Sequence, residues 1–260
     1  MTAEAQGSEA RPHAMNLVPL GLLALATGFA MHHEGYLPIV TPLLGLAMVA
    51  GLAVTASLTV TVRTCRVVSL LFSIFVLEYV KESIGIRCGL WAYHGNPGHY
   101  LFGVWLWVIA GSAAWALARK VTVPLLVRAR VRAPRWVSVA VIVAVAAVIP
   151  VGLGGYRRGT DITFAAFYAA LAVAGVVVSL RTSFASSMGL VATAWVAANV
   201  SEYVGSMGSG IWTFPLDPGY PPLFLLLGCW PLEIVAQASL SALLASESLD
   251  LSPVGTEVPP

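Results

Sequence analysis

Charged residues are scarce in this sequence. Only 10% of its 260 residues are charged while 58% are hydrophobic, and the mean hydropathy is +0.84. Soluble domains carry about 25% charged residues, so a soluble protein of this length could not cover its surface with so few. The composition excludes a soluble enzyme, a disordered chain and a nucleic-acid binder. It predicts an all-α integral membrane protein that sits in the lipid bilayer.

Residue patterns that usually hold metals or cofactors are also missing. The three cysteines are widely spaced without a CxxC pair, which predicts free buried thiols. The three aspartates form no DDxxD-like cluster, so magnesium-dependent ionisation of a diphosphate is not expected. No glycine-rich nucleotide loop, nucleophile elbow or haem-attachment motif occurs. We therefore expect neither a metal nor a cofactor.

Long apolar stretches dominate what is present. A membrane-spanning helix needs about 20 mostly apolar residues, and eight stretches approach this condition. They are residues 15–33, 37–62, 66–86, 100–118, 136–153, 161–180, 184–204 and 222–245. The third and seventh stretches carry acidic residues. The polar ends, 1–14 and 246–260, are expected to be disordered tails.

Basic residues predict the orientation. The link 119–135 holds six Lys and Arg residues, and links of this kind stay on the cytoplasmic side of a cell membrane. With eight spans, both termini are then cytoplasmic. An anionic lipid or a partner bound to this link is an alternative interpretation. The apolar stretch after Arg11 could also be a signal peptide, but it has a counterpart in the second half of the chain, which favours a retained span.

That counterpart belongs to an internal duplication. Residues 78–100 and 202–220 both fit E-Y-V…G-[LI]-W-x-[YF]-x-x-[ND]-P-G, with three extra residues between Glu and Trp in the first copy. The spans align at an offset of about 121 residues. Four spans per half predict two parallel four-helix repeats, 15–118 and 136–245, whose interface is a common place for sites. An aromatic belt would explain the Trp residues alone, but not the matching Gly and turn residues.

The repeated loop is expected to fold back into the protein. Its Asn/Asp-Pro-Gly sequence specifies a tight turn, and its Gly residues allow a neighbouring backbone to approach closely. We expect Trp91 and Trp212 to lie at the outer mouth of a shared cavity.

Acidic residues at membrane depth are the main functional candidates. A charge there costs about 2.5–3.5 kcal/mol or more, so it is seldom kept without a role. An apolar site also favours the protonated carboxyl, which can act as an acid. Alternatives are an ion pair of Glu78 with Lys81 that locks a helix, and interfacial exposure of Glu82. The candidates are Glu233, Glu202, Glu78, Glu82 and, in the second turn, Asp217.

The second copy of the motif resembles a known family. Residues 210–214 (G-I-W-T-F), followed by 231–233 (P-L-E), are similar to the lycopene cyclase domain of the small membrane-bound type. Glu233 matches the first Glu of that family's Pro-Leu/Ile-Glu-Glu, and Ile234 replaces the second. In the first half, Ser112 stands where Glu233 would align. The segment also looks like the integral-membrane terpene cyclases of meroterpenoid and indole-terpenoid pathways.

The resemblance implies cyclisation of a hydrophobic isoprenoid without a cofactor. A protonated Glu233 or Glu202 would donate to an alkene or epoxide. Another carboxylate would take the final proton, with Glu78, Asp217 and Glu82 as candidates. Aromatic rings would stabilise the carbocation by cation–π attraction. The expected substrate contacts are Trp91, Tyr93, Trp212, Phe214, Tyr79, Tyr203 and Trp230.

Three other hypotheses stay open. Water could capture the cation, which would make the protein a carotenoid-type hydratase. Acids near the midplane of a parallel repeat also fit a proton-coupled transporter or a lipid-binding membrane protein. A histidine-bound iron could support oxygenation, using the predicted outer-side histidines His32, His33, His94 and His99.

Overall fold

The apolar stretches form helices in the computed structural model of the chain, which describes residues 14–95, 98–155, 162–215 and 221–251. Asp217, Asp161 and most of both Asn/Asp-Pro-Gly turns lie outside the described residues. The helices are α1 (Leu17–His33), α2 (Pro42–Thr59), α3 (Thr64–Arg87), α4 (Leu101–Leu117), α5 (Val123–Arg128), α6 (Arg135–Gly155), α7 (Ile162–Arg181), α8 (Phe184–Glu202) and α9 (Trp230–Leu244). Two two-residue strands are β1 (Ala92–Tyr93) and β2 (Trp212–Thr213).

Short 3-10 and π-helical turns extend or join several of the α-helices. Turns of 3-10 helix, Ala14–Asn16 and Leu37–Ile39, precede α1 and α2. Wider π-helical turns join α4 to α5 (Ala118–Thr122), extend α8 (Tyr203–Gly208) and lead into α9 (Leu225–Cys229).

Six helices among the described residues are long and apolar enough to cross a membrane. They are Pro42–Thr59, Leu101–Arg128, Arg135–Gly154, Ile162–Arg181, Phe184–Gly208 and Leu225–Leu244. Helix α1 is also apolar but has only 17 residues, and α3 carries several charges within its length. These six helices agree with the predicted multi-pass, all-α membrane protein.

Burial separates central helices from peripheral ones. In α4 78% of the apolar window is buried, against 17% in α2. Helices α3, α4, α8 and α9 pack on one another, while α1, α2, α6 and α7 flank them. The flanking helices expose large apolar side chains such as Leu25, Leu46 and Val151, which is the surface that a lipid environment requires.

Two of the π-helical turns are each followed by a proline. Pro124 comes two residues after Ala118–Thr122, and Pro231 comes two residues after Leu225–Cys229. Proline lacks the N–H that an α-helix needs, and its ring collides with the carbonyl group of the previous turn. A wider turn accommodates the ring, so both helices continue through their proline.

Two boundaries differ from the sequence prediction. The basic link predicted at 119–135 is helical as far as Arg128, because the π-helical turn carries α4 into α5. Residues 246–251, assigned to a disordered tail, pack against α8, where the Asp250 carboxylate accepts from the Ser183 backbone N–H at 2.8 Å. Glu34, in the loop that follows α1, caps α4, because its carboxylate accepts from the N–H groups of Leu101 and Phe102 at 2.9 and 2.8 Å.

Tyr36 holds the same loop in place. Its buried hydroxyl donates to the backbone oxygen of His99 at 2.5 Å. Burial, followed by the charge of Glu34, raises the pKa of Tyr36, so the hydroxyl remains a donor at neutral pH.

The two repeated loops pair with each other. Strands β1 and β2 run antiparallel, with Ala92 opposite Thr213 and Tyr93 opposite Trp212. The pairing agrees with loops that fold back, although Trp91 and Trp212 are buried inside the protein.

Each Trp lies flat against a helix glycine. A Cβ added at Gly85 would overlap the Trp91 ring, and one at Gly205 would overlap the Trp212 ring. We expect Gly85→Ala and Gly205→Ala each to lower the free energy of unfolding by about 1–3 kcal/mol, because a hydrogen-bonded, buried ring cannot move aside. Thermal unfolding in detergent micelles measures the loss.

A suitable control is Gly45→Ala in α2. No atom lies within 4 Å of a Cβ added at Gly45, so alanine should leave stability unchanged or raise it slightly. Equal melting temperatures for Gly85→Ala and Gly45→Ala would contradict the packing argument.

Candidate functional site

A buried lysine lies at the centre of a group of buried glutamates. The Lys81 side chain is 0% exposed, and its ammonium nitrogen is 2.5 Å from Glu78 Oε2 and 3.1 Å from Glu82 Oε1. The Glu233 Oε2 atom is 3.7 Å away. Glu78, Lys81 and Glu82 share one face of α3 because their spacings are three and four residues. Glu233 reaches them from α9.

Neutral donors complete the surroundings of these carboxyls. The Gln237 amide donates to Glu78 Oε1 at 2.6 Å, and the Tyr168 hydroxyl donates to Glu233 Oε1. Gln237 lies one turn beyond Glu233 on α9, and Tyr168 comes from α7. The carboxyl oxygens that face away from Lys81 are therefore held by hydrogen bonds.

Aromatic rings enclose the ammonium group. The Lys81 nitrogen lies 4.2 Å from the centre of the Trp107 ring and 4.1 Å from that of Trp230. The two indoles are 4.8 Å apart, and Trp212 packs on Trp107 at 5.9 Å. The faces of aromatic rings attract cations. Trp107, Trp230 and Trp212, which we call the aromatic box, therefore stabilise positive charge in addition to the carboxylates.

The two repeated loops place equivalent hydrogen bonds beside the box. The Trp91 indole N–H donates to Glu82 Oε2 at 2.6 Å, and the Trp212 indole N–H donates to Glu202 Oε2 at 2.7 Å. The structural counterpart of Glu202 is therefore Glu82, and not Glu78 as the E-Y-V alignment predicts. Glu82 is buried, which overturns the alternative of interfacial exposure.

A π-helical turn explains the shifted alignment. Gly85 lies three residues after Glu82, and Gly205 lies three after Glu202, but their Trp partners follow after six and seven residues. The extra residue falls at Tyr203–Gly208, which is π-helical. A π-helical turn accommodates one more residue than an α-turn, so the two indoles reach the same position.

Charge balance requires that some of these carboxyls are neutral. Glu78, Glu82, Glu202 and Glu233 are all buried, and Lys81 is the one cation within ion-pair distance of them among the described residues. Four ionised carboxylates would bury three uncompensated charges, each costing several kcal/mol. Glu202 makes no ion pair within the described ranges, so it is the carboxyl for which the neutral form is most favourable.

An apolar cavity adjoins the cluster. It has a volume of about 280 Å³, lies between α2, α4 and α8, and includes Trp107 and Trp212 in its lining. Val196 and Val200, which line it, are exposed on the outside of α8, so the cavity opens through the apolar flank of the protein. Its size is near the lower limit for small-molecule sites.

Two small voids beside the carboxyls share lining residues with this cavity. One of about 20 Å³ touches Glu78 and Glu233 and shares Trp107 and Ala197 with the large cavity. The other, of about 10 Å³, is lined by Glu82 and Glu202 together with six aromatic side chains, namely Trp91, Tyr93, Trp107, Trp212, Phe214 and Trp230. Trp107 therefore lines all three spaces.

The structure brings together most of the predicted site residues. Four of the five predicted acids and five of the seven predicted aromatic residues lie in this region, while Asp217 falls outside the described residues. Tyr79 and Tyr203 are exposed on the surface. They follow Glu78 and Glu202 by one residue, and a one-residue step on a helix turns a side chain by about 100° away from the acid's face.

Three members of the site were not predicted from the sequence, and the role of a fourth was predicted only in part. Tyr168, Trp107 and Gln237 were not identified, and Lys81 was considered only as a partner of Glu78. Gln237 carried a detectable signal because it lies four residues after Glu233 on the same helix. Tyr168 and Trp107 lie in apolar helices outside the motif, so only the packing of α7 and α4 reveals them.

The predicted outer-side histidines do not join the site. His32, His33, His94 and His99 are all exposed. Within the described residues, no three His, Cys, Asp or Glu side chains are grouped in a way that could hold a metal ion.

Comparisons of the chain with protein-family models, with curated proteins and with solved structures give no match.

Removing the central cation tests the charge balance. We expect Lys81→Met to lower the free energy of unfolding by about 3–5 kcal/mol, because carboxylates lose a buried partner. Glu78→Gln combined with Lys81→Met should recover part of this loss, since it removes one negative charge together with the positive one. Thermal unfolding followed by tryptophan fluorescence measures both variants. Equal stability of the single and the double variant would be evidence against the cluster.

Proposed function

We propose that the protein is a membrane-bound, cofactor-free isoprenoid cyclase that starts its reaction by protonating an alkene or an epoxide. The observation that carries the proposal is the placement of buried carboxyls and an aromatic box beside an apolar cavity, with Trp107 and Trp212 lining both the cavity and the void that contains carboxyls. The full proposal includes eight spans in two parallel four-helix repeats, with both termini in the cytoplasm. In that arrangement α1 and α3 also cross the membrane.

The cavity suits a hydrocarbon chain. Its lining is almost entirely apolar, with residues such as Met48, Ile109 and Ala113, and it opens beside Val196 and Val200. A polyprenyl substrate dissolved in the bilayer could enter there without crossing water. The end that reacts would lie against Trp107, next to the voids that contain the carboxyls.

Glu202 is the best candidate for the acid. It is buried, it faces aromatic rings, and it is separated from the ammonium group that holds the other three carboxyls. The Trp212 N–H fixes one of its oxygens at 2.7 Å, which leaves the other able to carry the proton. Glu233, held by Tyr168 and farthest from Lys81 of the three paired acids, is the alternative donor.

The carboxylates beside Lys81 are suited to the opposite role. A proton added to the terminal alkene carbon creates a carbocation, and an internal double bond then attacks it to close the ring. Loss of a neighbouring proton to an ionised carboxylate, Glu82 or Glu78, ends the reaction with no net change in atoms or oxidation state. Glu82 and Glu202 line the same small void, which gives the proton a short return path between them.

The aromatic box supplies the remaining stabilisation. Trp107 and Trp230 already hold a positive charge between their faces, and a carbocation is attracted by the same quadrupole. The small volume of the adjacent voids leaves little room for water, which would otherwise capture the cation.

Substitution of the two candidate donors tests the reaction. We expect Glu202→Gln to lower turnover by at least about 10²-fold, because general acid catalysis contributes that much or more, and we expect the double change with Glu233→Gln to abolish cyclisation. The protein is expressed in a host that makes linear polyprenyl or epoxy-prenyl compounds, and products are analysed by mass spectrometry.

The matched control is Glu34→Gln, the same chemical change at a carboxyl outside the cluster, which should leave cyclisation intact. Cyclic product from the double variant would refute the assignment. A product heavier by one water molecule would identify a hydratase, and substrate flux without a new product would identify a transporter.

A large side chain at a position shared by the cavity and a void beside the carboxyls tests where the substrate binds. Ala197 lines both the large cavity and the void beside Glu78, so Ala197→Phe should lower cyclisation by at least about tenfold while leaving the carboxyls unchanged. Ala192→Phe places the same ring on the exposed side of α8 and should have no effect. Equal activity in the two variants, measured with matched melting temperatures, would rule out this cavity as the substrate site.

A further inference from the structure

A second buried cation lies at the other end of α3. Arg66 is in the first turn of the helix, fifteen residues before Lys81, which is about 22 Å along an α-helix. Its side chain is only 1% exposed. None of the carboxyls of the proposed active site contacts it, so it needs a separate explanation.

The guanidinium group of Arg66 is poorly satisfied. Its Nη2 donates to the backbone oxygen of Ala238 at 3.3 Å, while Nε and Nη1 are buried without a hydrogen-bond partner. The nearest acid is Glu247, whose Oε2 lies 3.8 Å from Nε, too far for a hydrogen bond. An arginine has five N–H donors, and leaving them unpaired inside a protein is costly. The site therefore lacks acceptor oxygens.

Positive charge is in excess around Arg66. Two guanidinium groups lie over the Trp115 ring, with Arg66 at 5.6 Å and Arg119 at 5.4 Å from its centre. Arg63, in the residue that precedes α3, is 3.8 Å from the other oxygen of Glu247. Among the described residues, Glu247 is thus the one carboxylate paired with Arg63 and Arg66, and Arg119 lies over the same Trp115 ring as Arg66.

The position of Glu247 would allow a ligand to reach the Arg66 guanidinium group. Its side chain is 19% exposed, and it belongs to the segment 246–251 that follows α9. That segment is anchored farther on by Asp250, which accepts from Ser183 at the start of α8. Glu247 can therefore swing away from Arg66 without detaching the rest of the segment.

We propose that Arg63, Arg66 and Arg119 form a binding site for a phosphate group, and that Glu247 occupies this site in the absence of the ligand. A phosphate offers more acceptor oxygens than a carboxylate, and the planar fork of arginine binds it in bidentate fashion. The ligand is either the headgroup of an anionic phospholipid or a soluble diphosphate. Basic pockets between helices on the cytoplasmic side commonly receive lipid headgroups.

The test uses the full-length protein in nanodiscs. Lipid retention by native mass spectrometry and thermal unfolding are compared for discs of phosphatidylcholine alone, for discs that also contain phosphatidylglycerol, and for phosphatidylcholine discs with added inorganic pyrophosphate. Stabilisation by phosphatidylglycerol only identifies a headgroup site, and stabilisation by pyrophosphate only identifies a soluble ligand. Stabilisation by neither ligand overturns the proposal.

Two substitutions separate binding from folding. Arg63→Gln, at a side chain that is 68% exposed, should weaken binding about tenfold, the size expected for a lost charged hydrogen bond. Glu247→Gln should strengthen binding, because it removes the competing charge. Arg181→Gln, at an exposed arginine at the end of α7, is the control and should bind as the unaltered protein does. Unchanged binding in both Arg63→Gln and Glu247→Gln overturns the proposal, whatever the outcome for cyclisation.

Discussion

The interaction on which the interior depends is the contact of one ammonium group with several carboxyls. Lys81 is completely buried, and its neighbours come from α3, α4 and α9. Such a group is tolerated only when its charge is matched and its surroundings are polarised. The ring faces and carboxyls must therefore stay in place together, which ties the central helices to one another more specifically than apolar packing does.

The same constraint divides the acids into two kinds. Three carboxyls lie within 3.7 Å of the ammonium nitrogen, whose single positive charge can balance one of theirs. Glu202 makes no ion pair among the described residues, and its hydrogen-bond donor there is the Trp212 N–H. The two copies of the motif thus form two similar Glu–Trp pairs in different electrostatic surroundings, because Lys81 precedes Glu82 while Ser201 precedes Glu202. That difference is what separate acid and base roles require.

The sequence predicted the helices well because their apolar stretches are long and lie between polar turns. The acids and the two Gly-x-Trp loops were also identified, since charge at membrane depth and a repeated motif are visible without coordinates. The pairing of Trp91 with Glu82 was not, because it depends on whether a helix end is α-helical or π-helical. Nothing in Tyr203–Gly208 marks that choice locally, and packing of the Trp212 ring against Gly205 decides it.

The two copies of the sequence differ at Ser112. Ser112, on α4, stands where Glu233 would align, and its hydroxyl is 3.2 Å from Thr55 of α2. A small residue there leaves no carboxyl facing α2, and Gly51 and Ala113, on the same two helices, line the cavity. In the second copy the aligned position is Glu233, which contacts Tyr168 and Lys81 instead. In the proposed reaction the first copy therefore contributes small residues to the substrate cavity, and the second contributes an acid.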